Sequence, residues 1–304
     1  MKIREFISKV LPESWVPYLL HLRPRAWPIV AAHMSVGFFL ANGFDFQDGA
    51  LQKLLLAAFT WGIVGNGGTL AINSYYDQDE GDIGYLDNPP PPPEHLHIFS
   101  LALLVLGIPL AFLLGWRFLT AYMICMVLSL LYSIPPFRVK ARAGFDVLIN
   151  STGFGGLTIY AGWAAVNRPL EPTIINVMLG FFFLFAAFYP LTQIYQMEED
   201  DKRGDKTLAL LLKKPAVFHF AGLAVLIAFT FFISEAAARY FELRSLGILI
   251  SLVLWASLLI PWMKNHASVD TAYEKQGFYH ALWIWAVTDI SIVLAMAPYL
   301  LSQA

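Results

Sequence analysis

Nine nearly uncharged stretches, most of them close to 20 residues long, follow one another along the chain. A helix needs about 20 apolar residues to cross the hydrocarbon core of a bilayer, so this pattern predicts nine transmembrane helices. They are predicted at residues 28–44, 54–76, 98–116, 118–134, 147–166, 174–194, 216–234, 246–262 and 278–301. Only Arg117 separates the third from the fourth, which predicts a tight helical hairpin.

The pattern predicts an all-α bundle of about nine helices around a central cavity that cytoplasmic loops cap. Residues 28–304 are expected to form this single transmembrane domain. In residues 3–11, apolar positions fall on one helical face beside basic residues. This arrangement is typical of a helix that lies on the membrane surface, so residues 1–27 are predicted to be an amino-terminal interfacial segment.

Composition supports a membrane protein and excludes one class of partner. Of the 304 residues, 58% are hydrophobic and 14% are charged, which is more apolar surface than a soluble domain of this size can bury. The expected environment is therefore a lipid bilayer. A net charge of −2 argues against nucleic-acid binding, because that function requires a basic surface.

The distribution of basic residues predicts the orientation. Fifteen of the 20 Lys and Arg residues fall on the side of the predicted spans that also holds the amino terminus. Positive loops stay in the cytoplasm, so we expect a multi-pass protein of a bacterial-type cytoplasmic membrane, with its amino terminus cytoplasmic.

Acidic clusters follow the second and the sixth predicted spans. Asn73, Asp77 and Asp82 belong to the first cluster, and Asp200 belongs to the second. Four crossings separate the clusters, so both should emerge on the cytoplasmic face. Carboxylates at the end of an apolar span are costly to place, and two such clusters on one face suggest a shared divalent cation.

The residue types at this face indicate the chemistry. Asn73 and Asp77 are four apart and share one helical face, and Mg²⁺ prefers such oxygen ligands, completed by water and phosphate. Arg138 and Lys140, after the fourth predicted span, would bind the remaining phosphate charge. Together they predict a Mg²⁺-bridged diphosphate site. An allylic diphosphate that ionises here would give a carbocation, which apolar helices would keep from water and aromatic faces would stabilise.

Three motifs resemble those of the UbiA superfamily of intramembrane prenyltransferases. Asn73 and Asp77 match the family's Asn-x-x-x-Asp-x-x-x-Asp motif, and Asp200 and Gly204 match its Asp-x-x-x-Asp-x-x-x-Gly motif. The segment from Tyr132 to Lys140 is similar to the family's basic loop. The likeness covers essentially the whole chain. It implies Mg²⁺-dependent transfer of a prenyl group from an isoprenoid diphosphate to an aromatic or lipid acceptor, with release of pyrophosphate.

The resemblance and the residue chemistry together give the predicted site. The catalytic residues are predicted to be Asp77, Asp200, Arg138 and Lys140. The diphosphate is predicted to bind Tyr132, Arg138 and Lys140. The metal ligands are predicted to be Asn73, Asp77, Asp82, Gln196 and Asp200.

Two positions depart from the family pattern. Gly81 stands where the first motif has its third acid, and Gln196 stands where the second has its first aspartate. Neighbouring acids are expected to compensate: Asp79, Glu80 and Asp82 near Gly81, and Glu198, Glu199 and Asp201 near Gln196. Five consecutive prolines, at 89–93, favour a stiff strap over the site.

Two alternative functions stay open on these observations. One is a terpene cyclase that uses the same site, and the other is a non-catalytic carrier or scaffold whose site has degenerated. Within the apolar spans, His33 is expected to be a packed histidine. Asp289 must find a partner or face a wet cavity, so a structural hydrogen bond and a contact with the acceptor both remain open.

Overall fold

The computed structural model describes residues 9, 12–78, 81–238 and 243–297. Within these residues the chain is helical, without named strands and with only two isolated β-bridges. Nine long helical segments follow one another: α1 (Trp27–Asn42), α2 (Ala50–Asp77), α3 (Leu96–Leu113), α4 (Trp116–Ser133), α5 (residues 145–164), α6 (Pro172–Gln193), α7 (Leu208–Ala238), α8 (Leu246–Asn265) and α9 (Thr271–Met296).

The predicted all-α membrane bundle is confirmed, and the count of nine spans is approximate. Seven helices among the described residues are long and apolar enough to cross a bilayer. The other two are α1, with 16 residues, and α5, which a π-helical segment interrupts at Ser151–Leu157. Large apolar side chains on the outer surfaces, including Phe112, Leu113 and Val253, would face lipid.

The helix boundaries agree with the predicted spans to within a few residues, apart from α9, which begins at Thr271 rather than at residue 278, and apart from α7. This helix begins at Leu208, and Lys213 interrupts it with a φ of 64°. Pro215 follows two residues later. Proline has no backbone N–H to donate, and its ring clashes with the carbonyl four residues before it, which kinks or breaks a helix. The predicted hairpin between α3 and α4 is present: Gly115 turns the chain with a φ of 101°, which glycine adopts without steric cost.

Close helix packing builds the bundle around small residues. Helix α1 packs along α5, α6 packs along α7 and against α5, and α8 packs along α9. A Cβ placed on Gly37 of α1 would lie 1.8 Å from the carbonyl oxygen of Ile159, and one on Gly162 of α5 would lie 1.9 Å from that of Met34. Glycine is therefore required on both sides of this crossing.

The described part of the amino-terminal segment packs against the loop that follows α2. Val16–His21 form a short helix, and Leu20 is buried with Ile83 and Leu86 of that loop. The His21 ring also lies 2.9 Å from the carbonyl oxygen of Pro90 through its Nε2 atom. The surface helix predicted from residues 3–11 lies outside the described residues, apart from Lys9.

Candidate active site

A cavity of about 280 Å³ lies inside the bundle, and α1, α2, α4, α5, α6 and α9 all contribute to its wall. The loops after α2 and α4 and the segment between α6 and α7 close its polar end. Six of the predicted site residues line it: Asn73, Asp77, Tyr132, Lys140, Gln196 and Asp200. The structure thus brings three segments that are distant in sequence to one cavity.

The last turns of α2 present the first acidic motif to the cavity. Asn73 and Asp77 share one face, and Lys140 lies between them. Its Nζ donates a short hydrogen bond to Asp77 Oδ1 and a second bond of 3.1 Å to Asn73 Oδ1. The Lys140 ammonium therefore neutralises the Asp77 carboxylate, at the position where a bound metal cation would be needed.

Arg138 joins the first acidic motif to the second acidic segment. Its guanidinium donates to both carboxylate oxygens of Asp205, at 2.5 and 3.3 Å, and Nη2 lies 3.5 Å from Asp77 Oδ1. Backbone pairing strengthens the connection, because Lys206 N donates to the carbonyl oxygen of Ala141 at 3.1 Å. The basic loop is thereby held between the two acidic segments.

Asp146, fully buried at the start of α5, fixes the relative positions of these segments. Its carboxylate accepts from the backbone N–H of Gly144 at 2.8 Å, from Gln193 Nε2 at 3.1 Å and from the backbone N–H of Leu208 at 2.9 Å. Since these donors belong to the basic loop, to α6 and to the start of α7, one side chain joins all three.

Asp82 lies outside the cavity lining, in contrast to the other predicted metal ligands. It accepts a hydrogen bond of 2.6 Å from Lys275 of α9, and this bond, with that from the backbone N–H of Asn88, lowers the pKa of Asp82. Asp87 binds the same ammonium at 2.8 Å and Arg25 at 2.9 Å, and both bonds lower its pKa. These contacts fasten the loop over the cavity.

Gly81 and Gln196, the two positions that depart from the family pattern, each lie beside a residue of the opposite acidic segment. A Cβ placed on Gly81 would lie 3.1 Å from Glu199 Oε2, so the Glu199 carboxylate fills the space that a side chain at 81 would take. Gln196 lines the cavity and donates to the carbonyl oxygen of Asp82 at 3.2 Å. Asp79 and Glu80 lie outside the described residues.

Aromatic side chains form the walls below the charged end. The hydroxyl groups of Tyr132 and Tyr189 share a short hydrogen bond. Phe185 and Phe188 both lie 5.7 Å from the ring of Trp285, measured between centroids. All five line the cavity, which gives a polar mouth above an aromatic interior.

The donor set is suited to Mg²⁺ shared with a phosphate ligand. Among the residues that the structure describes, no three His, Cys, Asp or Glu side chains are gathered closely enough to hold a metal ion by themselves. Mg²⁺ usually takes only one or two carboxylates and completes its octahedron with water and substrate phosphate. The oxygens of Asn73, Asp77 and Asp200 around one cavity fit that requirement.

Several cavity residues were not predicted as site residues. Arg23 donates to Ser74 Oγ at 3.2 Å and to the carbonyl oxygen of Gly84 at 3.3 Å, and Asp205 binds Arg138. Asp205 directly follows the motif that ends at Gly204, so that motif contained a signal for it. No sequence signal marked Tyr189 or Trp285, because the sequence of a uniformly apolar helix does not reveal which face the helix turns inward.

Sequence comparison supports the interpretation of the motifs. The profile of the UbiA prenyltransferase family matches residues 27–287. A lycopene elongase/hydratase of Haloarcula japonica is 26% identical over 236 residues, which is 73% of this chain and 76% of that protein.

Two solved structures share the fold. A UbiA homologue from Archaeoglobus fulgidus bound to GPP and Mg²⁺ matches with a TM-score of 0.67 and 20% identity, over 91% of this chain and 99% of that one. A structure of digeranylgeranylglyceryl phosphate synthase matches with a TM-score of 0.68 and 18% identity, over 94% and 99%. With the family profile spanning the bundle and its motifs meeting at one cavity, the chain belongs to the UbiA prenyltransferase family and is a multi-pass membrane prenyltransferase.

Proposed function

We propose that this enzyme transfers a prenyl group from an isoprenoid diphosphate to a hydrophobic acceptor inside the membrane, with Mg²⁺ as cofactor. The observation that carries the proposal is the meeting of Asn73 and Asp77, Lys140, and Asp200 at one end of a largely aromatic cavity. The reaction requires three parts: acids that hold a cation, bases that hold phosphate, and an apolar chamber.

Asn73, Asp77 and Asp200 would hold the metal, and Asp82 would contribute only after leaving Lys275. The bound cation would neutralise the diphosphate and make it a better leaving group. Relatives of known structure contain Mg²⁺ with GPP or DMAPP, which supports the assignment for this chain.

Arg138 and Lys140 would bind the diphosphate as its charge develops. A guanidinium binds phosphate oxygens through two parallel hydrogen bonds, whereas an ammonium acts as a compact charge. Lys140 would exchange its bond to Asp77 for one to phosphate. Tyr132 lines the cavity just below and would donate its hydroxyl hydrogen to a phosphate oxygen.

The aromatic interior would hold the prenyl chain and the acceptor. Phe185, Phe188 and Trp285 exclude water and present ring faces that favour a cation. The relative from Haloarcula japonica is named a lycopene elongase/hydratase, which supports a neutral polyene as the acceptor here. A cyclase would differ only in that the cation is captured by the substrate's own double bond.

The test is a comparison of three single substitutions in the purified protein, with dimethylallyl, geranyl and geranylgeranyl diphosphates and Mg²⁺. Asp77→Asn and Asp200→Asn should each lower pyrophosphate release by about 10²-fold or more, the usual effect of removing one electrostatic contact to the developing charge. Asp201→Asn is the matched control. Asp201 was expected to compensate for Gln196, but it is exposed and does not line the cavity, so this variant should keep the wild-type rate.

Two outcomes would contradict the proposal. Absence of pyrophosphate release by the wild type with all three diphosphates would exclude the reaction. Equal rates for Asp77→Asn, Asp200→Asn and Asp201→Asn would show that the acids at the cavity do not take part.

A further inference from the structure

A buried polar group lies deep in the bundle, far from the charged mouth. His33 of α1 lies 2.9 Å from Asp289 of α9, measured from Nδ1 to Oδ1, and both residues are buried. Lys275, which binds the loop over the mouth, precedes Asp289 on the same helix by about 21 Å at 1.5 Å of rise per residue. Ionisable residues at membrane depth are costly and usually functional.

The second nitrogen of His33 stands apart from the contacts made by the first. His33 is 5% exposed and lines the cavity, and among the described residues no hydrogen-bonding group meets its Nε2 atom. A buried polar atom left unpaired is energetically costly. Asp289 and the indole Nε1 of Trp285, at 3.2 Å, both contact Nδ1, so a ligand that pairs with the ring must do so through Nε2.

The surroundings of His33 suit an uncharged, unsaturated ligand. Its ring lies 4.8 Å from Phe181 and 5.1 Å from Trp285 between centroids. The lysine and arginine that line the cavity, Lys140 and Arg23, contact the loops and helix ends at its mouth. A carboxylate-bearing acceptor would find no counter-charge beside His33 among the described residues, whereas a polyene would pack against the rings.

We propose that His33 is a catalytic base, which accepts through Nε2 the proton that a neutral polyene acceptor loses after prenyl transfer. The inference rests on the proposed function. The C–O bond of the prenyl diphosphate breaks and its electron pair leaves with pyrophosphate. A double-bond pair of the acceptor forms the new C–C bond and leaves a cation on the acceptor. The adjacent C–H bond then breaks, its electrons restore a double bond, and the proton moves to His33 Nε2.

Asp289 is a positioning residue in this step. The carboxylate lies closer to Nδ1 than the indole Nε1 of Trp285 does, at 2.9 against 3.2 Å. We therefore assign the Nδ1 hydrogen to the bond with Asp289, which leaves the lone pair of the imidazole on Nε2. The carboxylate also stabilises the imidazolium that forms, in the way an aspartate supports a histidine base in other enzymes. The proton returns to water when the product leaves.

The experiment measures pyrophosphate and prenylated polyene separately. Wild type, His33→Gln and Asp289→Asn are reconstituted in lipid nanodiscs with dimethylallyl diphosphate, Mg²⁺ and lycopene. Loss of a general base costs about 10²- to 10⁴-fold, so both variants should form prenylated lycopene at least about 10²-fold more slowly. The KM for dimethylallyl diphosphate should stay unchanged, because His33 does not touch the diphosphate.

Ser291→Ala is the matched control. Ser291 is buried on α9, two residues after Asp289, and lies 3.1 Å from Ser251 of α8 between hydroxyl oxygens, away from the cavity. It should keep the wild-type rate. Thermal unfolding of each variant monitors folding, and Asp289→Asn preserves the shape of the side chain if His33→Gln does not fold.

The outcomes separate this inference from the proposed function. Rates of transfer near wild type in folded His33→Gln or Asp289→Asn protein would overturn the role of the base. Pyrophosphate release by the wild type without any transfer to lycopene would overturn the polyene acceptor. Failure of the wild type to release pyrophosphate at all would instead refute the diphosphate chemistry.

Discussion

The charged residues at the mouth already satisfy one another without a ligand. The side chains of Asp77 and Lys140 are 6% and 8% exposed, and Arg138 binds Asp205. Charges removed from water are costly unless they are paired. In the proposed reaction, the metal and the diphosphate would therefore exchange partners with residues that are already paired, and no bare charge would have to be buried.

Glu199 is positioned to replace the acid that Gly81 lacks, and this can be tested by exchange. Glu199→Ala should raise the Mg²⁺ concentration needed for half-maximal activity, because the mouth loses a carboxylate. Gly81→Asp in that background should restore part of the affinity, since the space 3.1 Å from the built Cβ is then free.

The control for this exchange is Gly81→Asp alone. In the otherwise unchanged protein it places a carboxylate against Glu199, and like charges at short range repel, so it should not improve the Mg²⁺ requirement. A Mg²⁺ titration that is the same for Glu199→Ala and wild type would refute the compensation.

At the level of elements, the loop after α2 covers the cavity as a lid. The loop is rich in proline, but ion pairs hold it in place. Its prolines supply stiffness, but the contacts that hold it down are ionic: Lys275 binds Asp82 and Asp87, and Arg25 binds Asp87. Tyr85 adds an apolar contact, with its ring 5.9 Å from that of Phe278. The lid is thus attached to α9 and to the segment before α1.

Lys275→Gln should loosen this lid. We expect faster hydrogen exchange at the backbone amides of residues 82–88, measured by mass spectrometry, because two carboxylates lose their shared cation. Lys202→Gln is the matched control. It removes an exposed lysine whose partner, Glu198 at 2.8 Å, is one turn away on the short helix Met197–Arg203. Unchanged exchange in Lys275→Gln would contradict the role of the ion pairs.

The pH dependence of the lid has a definite sign. The folded-state pKa values of Asp82 and Asp87 are lowered from their ordinary value of 3.8. The stabilisation by these groups is therefore complete above that value and is lost as the pH falls through the lowered pKa values. Loop exchange, corrected for intrinsic rates, should show no contribution from these groups between about pH 5 and pH 8.

The crossing of α1 and α5 is the tightest helix contact built on glycine. Gly37→Ala places a methyl carbon 1.8 Å from a backbone oxygen, and overpacking of this kind typically costs about 1–3 kcal/mol. We expect a lower midpoint of thermal unfolding in detergent.

Gly222→Ala is the control for this substitution. Apart from the adjoining backbone of its own helix, no atom of the described residues lies within 4 Å of a Cβ at that position. Alanine is favoured over glycine in a helix by about 0.5–1 kcal/mol. It should match or exceed the wild-type stability. If Gly37→Ala and Gly222→Ala unfold at the same midpoint, α1 and α5 can separate easily, and the prediction is wrong.

For the whole molecule, the cavity requires that both acidic segments open on the same side of the bilayer, because Asp77 and Asp200 line it together. We propose that this side is cytoplasmic, as the excess of basic residues indicates. The loop between α5 and α6 would then lie on the opposite face.

Labelling of single cysteines in intact cells tests the orientation. Native Cys125 is replaced by serine, and Pro91→Cys, Glu198→Cys or Leu170→Cys is added; Glu198, Leu170 and Pro91 are all exposed. A maleimide that does not cross membranes should react only with Leu170→Cys in intact cells. Reaction of Pro91→Cys and Glu198→Cys alone would reverse the orientation, and reaction of only one of these two would contradict the shared mouth.

The fold and the convergence of the loops could be predicted from the sequence. The side-chain contacts in the interior of the site could not. Hydrophobic spans and motif spacing are local properties, so the spans and the meeting of Asp77, Lys140 and Asp200 followed from them. Asp82 was expected among the metal ligands, but its partner Lys275 is 193 residues away. The pairing of His33 with Asp289 also depends on which faces two apolar helices turn toward each other.

The π-helical segment at Phe59–Gly65 has a consequence for how α2 can vary. A π turn holds an extra residue relative to an α-helix, and such insertions often occur at functional sites. One residue changes the angular phase of everything that follows by about 100°, so removal of the insertion would rotate Asn73 and Asp77 relative to Trp61. The length of α2 is therefore set by the direction in which Asn73 and Asp77 must point, as well as by the thickness of the bilayer. Insertions and deletions should be tolerated only outside this helix.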